Sequence, residues 1–240
     1  MDKSKLEIKL SDMVEVKPIG DNQKEVFKNY DKGLNQFVFG AAGTGKTFVL
    51  LYKALKEVLD PKSKSNKVII VRSFTPTREN ASDGKEIKSF ETTYRNMVQF
   101  MFKQPNDEAF SLLFNKLKQQ ESINFASTSF LRGLTFDNAI IIVDECQNMN
   151  FHELDTIITR VGTDTKINFA GDFFQSDLVD TNERNGLHDF MRVVDQMKSF
   201  ATTEFTLGDI VRGGLVREYL VEKTKLGLGV EAWKIIGNQV

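Results

Sequence analysis

The eight residues Gly40-Ala41-Ala42-Gly43-Thr44-Gly45-Lys46-Thr47 constrain this chain more than any others, because they satisfy G-x-x-x-x-G-K-[ST] at every specified position. Their flanks agree. Gln36-Phe37-Val38-Phe39 is a short apolar run that predicts a strand, and Phe48 to Leu59 has helical spacing, so the motif sits on a strand–loop–helix junction. Glycines at 40, 43 and 45 let the backbone curl until its N–H groups converge on phosphate oxygens, and the positive end of the following helix adds to the attraction. In such a loop Lys46 reaches the β- and γ-phosphates and the Thr47 hydroxyl ligates Mg²⁺. The candidate nucleotide-binding residues are therefore Gly40, Ala41, Ala42, Gly43, Thr44, Gly45, Lys46 and Thr47.

A second constellation complements the first. Ile140-Ile141-Ile142-Val143-Asp144-Glu145 predicts a buried strand ending in two carboxylates, as in a Walker B strand. Asp144 is then a ligand of Mg²⁺ through its water shell, and Glu145 orients and deprotonates the water that attacks the γ-phosphate. A small-molecule kinase needs no water-activating glutamate here, so the pair favours a hydrolase. Gln175 follows the apolar run Ile167–Ala170, where its amide can sense the γ-phosphate or the attacking water. Gln23 stands at a predicted helix start; its two-sided amide suits the edge of adenine, although a lone glutamine there is more often a helix-capping or surface residue.

The rest of the chain supplies the scaffold. Apolar runs at Val68–Val71, Ala139–Val143, Ile167–Ala170 and Phe200–Phe205 alternate with helical stretches at Phe151–Arg160, Leu187–Lys198 and Leu215–Lys225, which predicts βαβ units and a mainly parallel sheet. Leu6–Leu10 alternates like a short edge strand, and Asn22–Tyr30 reads as a helix. Residues 73–120 break the rhythm with helical stretches at Ile87–Phe102 and Asp107–Gln119, read as a helical insertion or lid after the second core strand of a single domain, 1–240. The chain carries 32 Lys+Arg and 33 Asp+Glu, a net of −1, but residues 61–120 hold a net of +5. That excess, with aromatics at helical spacing, fits a solvated face over a core or a base-stacking surface. One cysteine excludes an internal disulfide, and no apolar run of membrane-spanning length occurs, so a cytoplasmic protein without a membrane segment is expected.

Taken in order, these motifs resemble those of PhoH-like proteins, P-loop ATPases related to superfamily 1 helicases. The resemblance runs from about Pro18 to Tyr219. It adds Val71-Arg72, Phe130-Leu131-Arg132-Gly133, Asp144-Glu145-Cys146-Gln147-Asn148, Thr159-Arg160-Val161-Gly162, Gly171-Asp172 with Gln175, and Asp209-Ile210-Val211-Arg212. It implies a RecA-like P-loop NTPase core, Arg212 as an arginine finger, and Arg132 as a phosphate or interface contact. Cys146 departs from the family's usual alanine, and Leu134 replaces an arginine of its Arg-Gly-Arg-Thr pattern. The length resembles that of the short members carried by bacteriophages.

The resulting expectation is Mg²⁺-dependent ATP hydrolysis coupled to RNA or single-stranded DNA binding or remodelling, with Lys46, Glu145, Gln175 and Arg212 catalytic. The resemblance further implies a homo-oligomer, a hexameric ring in which Arg212 acts in trans on a neighbour's ATP. The alternative from another class is a regulatory or scaffold protein that uses ATP without a nucleic-acid track.

Overall fold

A computed structural model describes residues 8–73, 83–128, 131, 133–172 and 181–226. Its centre is a six-stranded sheet formed by β1 (Asn35–Gly40), β2 (Lys67–Arg72), β3 (Ile123–Ser127), β4 (Ala139–Val143), β5 (Lys166–Gly171) and β6 (Phe200–Phe205). The strand order is β3-β2-β4-β5-β1-β6, and every pairing is parallel. The helices are α1 (Gly20–Asp31), α2 (Lys46–Val58), α3 (Asp83–Gln99), α4 (Asp107–Gln119), α5 (Phe151–Ile158), α6 (Thr181–Asp195) and α7 (Gly214–Lys225). The alternation read from sequence is thus realised, with parallel pairing throughout.

Parallel strands covered on both faces read as unbroken apolar runs, and β4 is buried at all five positions. Successive side chains divide between two layers. Val38, Val68, Ile70, Ile140, Ile142 and Ala170 face one cluster, which also contains Leu50, Leu51 and Leu55 of α2. Phe37, Phe39, Ile69, Val71, Ile141, Val143 and Phe169 face the other, with Leu154 and Ile157 of α5 and Phe190 of α6. Phe169 stacks on Phe37 at 5.6 Å and meets Phe190 edge-on at 5.1 Å, locking the α6 layer to the centre of the sheet.

Two elements differ from the sequence expectation. The expected edge strand at Leu6–Leu10 is absent over the described residues 8–10; Leu10–Asp12 forms a 3-10 turn instead, in which the Asp12 carboxylate accepts the Lys9 N–H at 2.8 Å. A local side-chain bond has displaced an extended ladder. Conversely, β3 has no counterpart among the apolar runs of the sequence. Its Asn124 and Ser127 interrupt any such run, and it lies at the sheet edge, where only one side must pair.

The helices α3 and α4 follow β2 and lead into β3. Their aromatics divide unequally: Tyr94, Phe110 and Phe114 are buried in the α2-side core, along with Phe102 just after α3, whereas Phe100 is 75% exposed. Helical spacing here chiefly marks core, so these four buried rings are unavailable for base stacking.

Candidate active site

At the carboxyl end of β1 the chain turns into the glycine loop and then directly into α2. Gly40, Gly43 and Gly45 all have positive φ, at 117°, 72° and 82°. Gly45 is the N-cap of α2 with no side-chain cap, and no acidic residue occupies the helix's first turn. The loop therefore presents N–H donors and the positive helix end together, the setting an anionic phosphate requires.

Lys46 is folded back into this loop. It is only 8% exposed, and its ammonium donates to the carbonyls of Gly40 at 2.9 Å and Ala41 at 2.7 Å. Thr44 closes the turn by donating its hydroxyl to the Ala41 carbonyl at 3.0 Å. Burial pushes the Lys46 pKa below the usual lysine range, opposed by the carboxylates of Asp172, Glu145 and Asp144. Phosphate oxygens can replace the two carbonyls as acceptors for the same charge.

The acidic pair meets the loop across one intervening strand, because the order β4-β5-β1 places β5 between them. Thr47 Oγ1 donates to Asp144 Oδ1 at 2.6 Å, and Tyr94 donates its hydroxyl to Asp144 Oδ2, also at 2.6 Å. These oxygens suit Mg²⁺, a hard cation that takes one or two carboxylates plus substrate phosphates rather than a closed protein cage. Among the described residues, no group of three or more His, Cys, Asp and Glu is placed to hold a metal ion.

Glu145 lies beyond Asp144 with φ of 53°, a left-handed conformation uncommon for a non-glycine residue. Gln147, 1% exposed, donates its amide to Glu145 Oε2 at 2.5 Å and accepts the Asp172 N–H at 2.9 Å, linking the ends of β4 and β5. Arg72 at the end of β2 approaches Glu145 Oε1 at 3.7 Å. Burial raises the Glu145 pKa, and Asp144 raises it further; the Gln147 bond and Arg72 oppose them. A raised pKa moves a carboxylate toward the range useful for a general base. The neighbouring Cys146 is fully buried, and burial pushes its thiol strongly upward, which suits packing and leaves no reactive thiolate.

The segment after β6 completes the wall of the loop. The Val211 N–H donates to the Gly43 carbonyl at 3.0 Å, and the Asp209 carboxylate accepts from Asn22 of α1 at 2.8 Å. Arg212 then runs along the loop of its own chain, so close that a Cβ on Gly43 would lie 2.7 Å from Arg212 Cγ. The stem of Arg212 thus rests on the loop, and the residue as a whole is exposed.

Gln23 also touches the loop. Its Oε1 accepts the Ile19 N–H at 2.8 Å, and its Nε2 donates to the Thr44 carbonyl at 2.9 Å. These contacts tie the start of α1 to the glycine loop. Arg132 and Gln175 lie outside the described residues. Sequence reasoning assigns no role to Tyr94 or Gln147; the first is visible there only as one of several aromatics and the second only as part of a motif.

A parallel sheet carrying a glycine loop and an acidic pair on strands separated by one other is the architecture of the P-loop NTPases. The profile of PhoH-like proteins matches residues 15–222, and the chain belongs to that family. It is 27% identical over 205 residues to the PhoH-like protein of Mycobacterium leprae, covering 85% of this chain and 57% of that one. Protein PhoH of Escherichia coli is 24% identical over 77% of this chain and 51% of its own length. The chain thus spans somewhat more than half the length of these relatives. Among solved structures, the large terminase of a thermophilic bacteriophage, in complex with ADP, superposes with a TM-score of 0.50 at 12% identity, covering 86% of this chain and 50% of the terminase. That likeness concerns the fold. No helix of the described residues is long and apolar enough to cross a membrane.

Proposed function

We propose that the chain is a Mg²⁺-dependent ATPase whose cycle is coupled to RNA or single-stranded DNA. The observation that carries the hydrolytic half is the convergence of Thr47 Oγ1 on Asp144 Oδ1 at 2.6 Å, one residue before Glu145. Loop N–H groups and Lys46 bind the phosphates, while Thr47 and Asp144 are the oxygen donors offered to Mg²⁺. The metal supplies charge neutralisation at the phosphates. Glu145, held by Gln147, takes the proton of the attacking water.

The polymer half is supported by the family relationship, by the basic excess of residues 61–120 and by exposed Phe100. Steady-state hydrolysis with and without single-stranded RNA and DNA tests both halves. Several-fold stimulation by one polymer is the expected result; hydrolysis indifferent to both favours the regulatory ATPase instead.

Arg212 is proposed to act in trans as an arginine finger on the ATP of a neighbouring subunit, a role that its exposure at the edge of the loop permits. Arg212→Ala chains should lose most activity, and mixing them with Lys46→Ala chains, which carry an intact Arg212, should restore part of it. Mixtures as inactive as either variant alone would overturn the trans arrangement. The assembly into a ring, hexameric by resemblance, is favoured by α7, where Leu215 and Tyr219 are 80% and 63% exposed shortly after Arg212.

A further inference from the structure

We propose that Tyr94 is a positioning residue for the divalent metal that accompanies the nucleotide, and that through it α3 is tied to the loading of that site. The proposal rests on the ATPase reading above. Tyr94 is fully buried in α3, and its ring packs at 5.7 Å from Phe125 on β3. Its hydroxyl donates its single proton to Asp144 Oδ2, at 2.6 Å, while the other carboxylate oxygen receives Thr47 at 2.6 Å. The Asp144 backbone is fixed as well, donating its N–H to the Val71 carbonyl at 2.9 Å.

The consequence is directional. Asp144 is 6% exposed, so little water is available to orient its carboxylate. With one oxygen bound by Tyr94, rotation of the group is arrested, and Oδ1 stays turned toward Thr47, the side on which the glycine loop receives phosphates. Tyr94 and Thr47 come from different helices, α3 and α2, so Asp144 joins the β2–β3 connection to the nucleotide loop. A displacement at the carboxylate on metal loading is transmitted to α3 through a charge-assisted bond, stronger than an ordinary one. A hydroxyl that merely satisfied a core position would contribute to stability and leave metal binding unchanged.

Removing the hydroxyl and keeping the ring separates these roles. In titrations of a fluorescent ADP analogue, Tyr94→Phe should bind the Mg²⁺-free nucleotide within twofold of the wild type. The Mg²⁺ concentration that half-maximally tightens binding should rise about tenfold, the scale of one lost bond to a charged group. A half-saturation within twofold of the wild type overturns the positioning role. Hydrogen exchange on the unmutated chain tests the tie independently of how well the variant folds: amides around Tyr94 should exchange more slowly with Mg²⁺ and ADP than with ADP and EDTA. Equal exchange overturns it. A wild type that binds no ADP brings down the ATPase reading together with the proposal, whereas normal wild-type binding with an indistinguishable Tyr94→Phe removes the proposal alone.

Discussion

Glu145→Gln should lower kcat for ATP hydrolysis about a thousandfold while leaving the Kd for Mg²⁺-bound ATP within about threefold of the wild type, within the range that loss of a general base produces. Glutamine keeps the size of the side chain and a partner for Gln147, but it cannot accept the proton of water. Binding should survive because the groups proposed to hold the phosphates and Mg²⁺, namely the loop, Lys46, Thr47 and Asp144, make no hydrogen bond to the Glu145 side chain. Burial and the adjacent Asp144 favour the protonated form of Glu145, so its pKa lies above the ordinary glutamate value. A general base acts in its ionised form. The rate should therefore fall as pH drops through this raised pKa, and its acid limb should lie above pH ~4.3, where an unperturbed glutamate titrates. Retention of more than a tenth of wild-type kcat would remove Glu145 from the role of base.

How much of this site is legible in the sequence depends on whether function resides in the backbone or in tertiary contact. The glycine loop is a local backbone device, so residues 40–47 carry it in the sequence, and the three glycines do adopt the positive φ that the motif implies. β4 is legible for the same kind of reason: burial on two faces forces an unbroken apolar run. Partners are another matter. The spacing of Tyr94 marks a buried helix face and contains nothing about Asp144, fifty residues later. Gln23 offers donor and acceptor alike, and only the tertiary fold decides that Ile19 and Thr44 take them. Arg212 illustrates the limit from the other side, since a motif supplies an arginine while the path of the chain after β6 lays its stem against Gly43.

That path is set by an unusually close approach, which makes Gly40→Ala the most damaging small substitution expected in the fold. Gly40 pairs with Phe205 across β1 and β6, and a Cβ on it would stand 1.9 Å from the Phe205 carbonyl oxygen. Neither side can easily yield. The same carbonyl accepts the Ala41 N–H at 2.9 Å, so moving it away breaks a bond of the loop, and the φ of 117° is itself strained for alanine. Backbone strain of about 1–3 kcal/mol and overpacking of similar size together suggest a loss of about 3–5 kcal/mol. For a chain of this length that corresponds to a fall of roughly 10 °C in Tm. Gly33→Ala is the matched control, because Gly33 also has positive φ, 81°, but nothing lies within 4 Å of its added Cβ. If the two variants melt within about 2 °C of each other, the β1–β6 contact is not the constraint. If Gly40→Ala falls well below Gly33→Ala and also loses nucleotide binding, then β6 does more than extend the sheet: by pressing on the first residue of the loop it fixes where Val211 and Arg212 meet Gly43.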